Sequence, residues 1–390
     1  MNGLNEPALG IYVSISRLKI IIRHSYSSGF HAVQRFGEFR TVGGNMTTKR
    51  STLFLILIYG ILIGVGCRIS DRTPDISVRD GIYPAYDSPG GTPVLFAPEM
   101  ICTGMYERDI ALSADGNELY YGVILGKIAT VMVTRRENGT WMEPQVAPMA
   151  RDLEYFHFEP CISADGKRLL FLSTRPPAGK EPKPGWTHQN IWAVDRGEEG
   201  GWGQPYDLGS PINSDEGEFF PSLTRDGTLY FTRSGKDGKS AIYRARPLDG
   251  KYGVPEKLPA AVNGKGNPYN GFISADERML IACVARREDC VSRGFADYYV
   301  FFRNRNDVWS EGINLGPAVN PENENAISAS LSPDGRILFF ASTRMPDLEA
   351  PYSDWIMHRQ LISRHAAPQN GGADIYWMRA DFLDQLDPWK

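Results

Sequence analysis

The stretch Ile162–Arg175, ISADGKRLLFLSTR, reads as a short half-apolar strand, a tight Asp-Gly turn and a second, nearly continuous apolar strand. Asp-Gly between two apolar runs is a strong local hairpin signal, because the turn needs a left-handed residue that glycine supplies without steric cost. The pattern recurs. LSADGNELYYGV centres on Asp115, LTRDGTLYFTRS on Asp226, ISADERMLIACVAR on Asp276 and LSPDGRILFFASTR on Asp334, with spacings between the aspartates of 50, 61, 50 and 58 residues. A self-similar period of that size marks a repeat architecture, in which each unit buries its faces against its neighbours. The fourth copy carries Asp276-Glu277 in place of Asp-Gly, which predicts a different turn type there.

Further strands follow each hairpin. ATVMVTRR from Ala129, NIWAVDR from Asn190, AIYRARP from Ala241 and DYYVFFRNR from Asp297 supply a third strand. A fourth follows, marked by Trp141, Trp202, Tyr252 or Trp309 ahead of a proline-leucine pattern. Four antiparallel strands per repeat define the blade of a β-propeller. The fifth copy ends after its third strand, ADIYWMRADFL from Ala373, and TPVLFAP at Thr92–Pro98 resembles the missing outer strand. The N-terminal strand then completes the last blade and closes the ring. The expected fold is therefore all-β, a five-bladed propeller over residues 92–388, with six blades as the alternative.

On these strings the chain resembles the TolB-type, WD40-like β-propeller repeat of bacterial exported proteins. TolB-type propellers are usually described with six blades, so five is a departure. The resemblance implies the fold and an envelope compartment, and it hints at binding. A fold does not by itself specify a function.

The segment ahead of the repeats fits export. Lys49 and Arg50 precede the apolar run Leu53–Gly66, which is shorter than the ~20 residues of a membrane span and has the shape of a signal peptide. Cys67 follows Gly64-Val65-Gly66 and looks like the acylated cysteine of a lipobox, although Gly64 stands where such boxes carry a larger aliphatic residue. The reading is thus an extension over 1–45, from a start site set upstream of Met46, then a signal peptide over 46–67 and a flexible tether over 68–91. It makes the chain a cell-envelope lipoprotein facing the periplasm, held to a membrane through the lipid or the N-terminal segment. Export permits disulfides, and Cys283 and Cys290 are near enough in sequence to close one loop. A net charge of −4 gives no pull toward nucleic acid.

In a propeller the Asp-Gly turns point to one face, and the loops entering the first strands and leaving the second point to the other. Glu107, Asp109, His157, Glu159, Glu218, Asn270 and Asn325 enter the five first strands and are expected to ring a channel mouth. Arg175, Arg286 and Arg344 leave the second strands at matched offset, with Arg233 slightly earlier. His157, His188, His358 and His365 fall on the same side, as do two long loops carrying Trp186 and Tyr352 with Trp355. An aromatic wall over a polar ring suits a sugar or a peptide. A structural account competes at every position: the arginines recur as repeat elements, and the turn aspartates satisfy backbone amides.

No nucleophile elbow, zinc-binding helix, phosphate loop or dinucleotide fingerprint appears, so no cofactor or metal is implied. The first functional expectation is a binding or scaffold module for an envelope protein or a saccharide. The second is a glycan-active enzyme, a hydrolase or lyase, using Asp109, Glu159 and Glu218, since glycoside hydrolysis needs paired carboxylates.

Overall fold

The computed structural model describes residues 9–14, 19–24, 79–80, 83, 89–292, 296–345 and 358–390. Cys67, Tyr352 and Trp355 and the expected signal peptide lie outside them. Residues Met1–Arg72 form one unit, in which Leu9–Ser14 pairs antiparallel with Lys19–His24. Residues Thr73–Lys390 form the other.

The second unit is built from five antiparallel sheets, one per sequence repeat. The first blade runs Tyr106–Leu112, Glu118–Leu125, Ile128–Glu137 and Gln145–Val146. The second runs His157–Ile162, Arg168–Ser173, Asn190–Asp195 and Tyr206–Asp207. The third has Glu218–Leu223, Leu229–Ser234, Ser240–Ala245 and Glu256–Lys257, and the fourth has Asn267–Ile273, Met279–Ala285, Ala296–Phe302 and Ile313–Asn314. The fifth takes Ala329–Leu331, Ile337–Ser342 and Asp374–Arg379 from the C-terminal repeat and Val94–Leu95 from the N-terminal side. That last pairing, Leu95 opposite Tyr376 and Val94 opposite Trp377, closes the ring. First strands of successive blades lie side by side around the axis, and the fifth meets the first.

Apolar patterning follows from this stacking. Second strands such as Arg168–Ser173 are covered on both faces by neighbouring blades, so they read as unbroken apolar runs. Among the described residues the five largest apolar clusters each lie between two adjacent blades. The closing seam is the most aromatic. Phe96 sits 5.2 Å from Phe339 and 5.1 Å from Trp377, both edge-on. Such pairs add about 0.5–1.5 kcal/mol each beyond the area they bury. Two parts of the stretch expected as a tether join this seam's surroundings: Arg79–Asp80 pairs with Thr140–Trp141, and Tyr83 packs edge-on to Trp377 at 5.5 Å.

All five turns share one construction. Ser113, Ser163, Thr224, Ser274 and Ser332 each donate their hydroxyl to the aspartate two residues on. The same hydroxyl accepts a backbone N–H where the second strand begins, as Ser163 Oγ does from Arg168 at 2.9 Å. The fourth turn is therefore not of another type. Glu277 adopts the glycine conformation at φ 59°, and its N–H bonds Ser274 O at 2.9 Å as Gly116 bonds Ser113. Its carboxylate is held by Tyr230 Oη at 2.8 Å and Arg303 at 3.1 Å, contacts a glycine could not make. The aromatic anchors also move: Trp202 and Trp309 bridge back to Arg196 and Arg303, and the outer strands come after them.

Candidate functional site: the central channel and its charged floor

Four of the five first strands carry a bulge at the same repeat position, where the register shifts. The residue there is left-handed: Asp109 at φ 57°, Glu159 at 56°, Phe220 at 52° and Asn270 at 50°. The fifth blade has Ser328 at that position. A left-handed non-glycine residue costs roughly 1–2 kcal/mol, so something must offset it. The offset is a set of bonds between blades. Glu159 Oε2 accepts the Phe220 N–H at 2.7 Å, Asn270 Nδ2 donates to Ile327 O at 2.6 Å, and the Asp109 N–H donates to Ser328 Oγ at 3.1 Å. Arg108 spans the first two blades, donating from Nε to Asp109 Oδ2 at 2.6 Å and from Nη2 to Glu159 Oε1 at 3.3 Å.

Glu107, His157 and Glu218 sit two residues earlier and form a separate tier. Glu107 Oε1 accepts the N–H and the hydroxyl of Thr103, at 3.1 and 2.6 Å. Glu218 accepts from Ser214 and from Arg233 Nε, the latter at 2.7 Å. His157 Nε2 lies 3.0 Å from Asp152 Oδ1. All three are fully buried and tie the incoming loop to its blade. Glu218 is thus not the third member of a set with Asp109 and Glu159; Phe220 occupies that place in its blade. Asn325 Oδ1 accepts the Ala296 N–H at 3.0 Å and joins the fourth and fifth blades.

The arginines belong to the repeat. Arg175 donates to Asp152 and to Met149 O, Arg233 to Ile212 O and Arg344 to Val319 O, each reaching the chain that enters its blade. Each also lies over a third-strand ring: Trp192 at 5.6 Å, Tyr243 at 4.9 Å and Tyr376 at 4.6 Å. In the fourth blade Arg287 stacks this way, 4.2 Å from Tyr299, whereas Arg286 is exposed at φ 59°. The offset of Arg286 is one residue out, because the local chain turns there. Trp186 stacks on Phe158 at 5.3 Å and packs against Phe156 at 5.0 Å, over the loop end of the channel. His188 bonds Glu181 O, and His358 and His365 lie on an exposed helix, His358–His365. No group of three metal-ligating side chains gathers among the described residues. The described cysteines are free, Cys283 and Cys290 included.

A cavity of about 850 Å³ occupies the axis. Its floor is Asp109, Glu159, Phe220 and Ser328, and its rim is the Asp-Gly turns, including Ala164, Asp165, Arg225, Asp276 and Asp334. The loop-side tier of Glu107, His157 and Glu218 does not line it. The channel therefore opens on the turn face, opposite to the face the sequence pointed to. Its volume is that of a typical small-ligand site. Burial, then the neighbouring Asp109, push the Glu159 carboxyl up to about 8, against the pull of Arg108. Glu107 is pushed up to about 7 chiefly by burial and Asp374 to about 6 by burial.

Sequence reasoning passed over Arg108, Phe220 and Ser328, which are visible only once the bulge position is aligned across repeats. It also passed over an asparagine that follows a proline by two to four residues in three of the repeats. Asn213, Asn263 and Asn320 each use the side-chain amide to bond both backbone groups of one third-strand residue, Ile191, Ile242 and Tyr298.

The chain has partial likenesses among solved structures. The chain is 16% identical to TolB from Acinetobacter baumannii over 70% of this chain and 54% of that one, at a TM-score of 0.40. It is 14% identical to a putative TolB from Agrobacterium tumefaciens over 70% and 90%, at 0.40, and 13% identical to a protein of unknown function from Dyadobacter fermentans over 69% and 80%, also at 0.40. The chain spans about half the length of the Acinetobacter protein, and the five-blade count rests on its own sheets. No family model and no curated protein matches the chain. Among the described residues no helix is long and apolar enough to cross a membrane.

Proposed function

We propose that this chain is an envelope-facing binding propeller, tethered through Cys67 or the apolar segment before it, that receives its ligand in the central channel from the turn face. One observation carries the reading: a cavity of about 850 Å³ whose two buried first-strand carboxylates, Asp109 and Glu159, stand together on its floor. The carboxylates there are engaged in fastening blades, through Phe220 N–H and Arg108, which favours recognition over turnover. The ligand class in view is a protein segment or a saccharide.

The test is a thermal-shift screen of the full chain against peptides and oligosaccharides, repeated on Ala111→Phe, which narrows the channel wall. A ligand specific for the folded state at a hundredfold over its Kd stabilises by about 2.7 kcal/mol. Hits lost in Ala111→Phe support the reading; hits indifferent to it move the site elsewhere on the surface.

The enzyme reading keeps one supporting observation. Glu159, pushed up to about 8 beside Asp109, holds a proton at neutral pH, as a general acid must. Turnover of any glycan that survives Glu159→Gln removes that role.

A further inference from the structure

We propose that the channel is a receptor for a linear aliphatic amine, which enters ammonium end first, seats that end between Asp109 and Glu159, and lays its methylenes along the apolar wall. This rests on the channel reading above and names its ligand.

The floor holds two carboxylates and one cation. Arg108 is committed to Asp109 at 2.6 Å and reaches Glu159 only at 3.3 Å. Asp109 Oδ1 has no hydrogen-bond partner, although the side chain is 1% exposed and lines the channel. A buried carboxylate oxygen without a donor is costly, and the deficit is specifically one of donors. Around the axis the floor's neighbours do not make it up. Phe220 and Ser328 bring no charge, Asn270 has its Nδ2 on Ile327 O, and Cys283 and Tyr269 of the fourth blade are neutral groups near Arg108. With both carboxylates ionised the floor would carry one negative charge beyond what Arg108 balances; burial and the neighbouring Asp109 instead hold a proton on Glu159. An ammonium brings three donors and the missing charge.

Above the floor the wall is apolar and partly exposed, at Ala111, Cys161, Leu223, Phe272 and Leu331. That surface suits methylenes and offers little to a saccharide. At the rim, Asp165, Asp276 and Asp334 each spend Oδ1 on their own turn. Arg278 is paired with Asp387 and Lys390 with Asp384, and Arg336 lies 3.9 Å from Asp334 Oδ2, which leaves Arg225, and Lys167 beside Asp165, against the turn aspartates. The rim is acidic, so a second ammonium is favoured there. Six residues lead from floor to rim, three of strand and three of turn, an upper bound of roughly 20 Å at about 3.3 Å per residue. A diamine of about eight carbons reaches across that depth with room for a hydrogen bond at each end.

Calorimetric titration of the full chain with octanediamine, octylamine and octanediol tests this. Octanediamine is expected to bind tightest, octylamine at least threefold more weakly, and octanediol not at all. Because the ammonium displaces the Glu159 proton, affinity for octylamine rises up to tenfold per pH unit between pH 6 and 8, and binding releases a proton, read from the dependence of the heat on buffer ionisation. Glu159→Gln, which can still accept the Phe220 N–H, flattens the pH profile and lowers affinity at least tenfold. Equal binding of the diol, a flat wild-type pH profile, or full affinity in a folded Glu159→Gln overturns the proposal; should that variant not fold, the wild-type profile and proton release decide. If no amine binds while a panel ligand blocked by Ala111→Phe does, the amine is wrong and the channel stands. If nothing binds in the channel, both readings fall.

Discussion

The two ends of the channel are made from the same repeat, yet they are built in opposite ways. At the loop end, Glu107, His157 and Glu218 are buried and locked to Thr103, Asp152, Ser214 and Arg233, and Trp186 stacks over Phe158. At the turn end, the aspartates fold their own hairpins and leave the axis open as a cavity. The acids with the most conspicuous spacing are therefore spent on holding the blades, and the end with the plainest residues is accessible. In this propeller an unusual buried charge marks a seam, and an opening is marked by small residues at the turns.

The sharpest test of that contrast is Arg108, which sits between the two ends. Arg108→Met leaves Asp109 and Glu159 facing each other without a cation and is expected to destabilise the chain by about 3–5 kcal/mol. A urea melt within 1 kcal/mol of wild type would mean the floor does not depend on this ion pair. Glu218→Gln probes the loop end alone. It weakens the bonds from Arg233 and Ser214 by about 1.5–3 kcal/mol while leaving channel binding unchanged. A loss of ligand affinity there would place Glu218 in the channel after all.

Glu107 inverts the expectation. Its carboxyl is higher in the fold, at about 7, than its ordinary value of 4.5, so the stability it contributes is full below pH 4.5 and is lost as pH rises through 7. Oε2 has no partner, and Asp374 stands nearby with its own Oδ1 unpaired. Glu107→Gln is expected to raise Tm at pH 8, on the order of 1–3 kcal/mol of stability, and to change little at pH 5. A variant less stable than wild type at pH 8 would show a cation already serving that pair. The smallest effect belongs to the turn end: Gly166→Ala has space for its Cβ but keeps φ 69°, and is expected to cost about 1 kcal/mol with no change at the loop end.

The fold was legible because its signals are local and repeated. A Ser or Thr two residues before an Asp writes its own hydrogen bonds within six residues, so five copies show five hairpins, and the unpaired Thr92–Pro98 strand identifies the closing blade. The site was legible only in part. Asp109 and Glu159 were found, but a bulge shifts side-chain alternation by one residue, and the sequence does not mark where it falls. Glu218 was grouped with them although it sits two positions away in the repeat, and Arg286 was chosen where Arg287 stacks. By itself the sequence determined the blades, their number and four of the five turns, since these depend on contacts within one repeat; the fourth turn keeps the common construction with Glu277 held by Tyr230 and Arg303. Which end of the channel opens, and which carboxylates share its floor, were decided only when five blades met around an axis, because those contacts join residues that no local spacing connects.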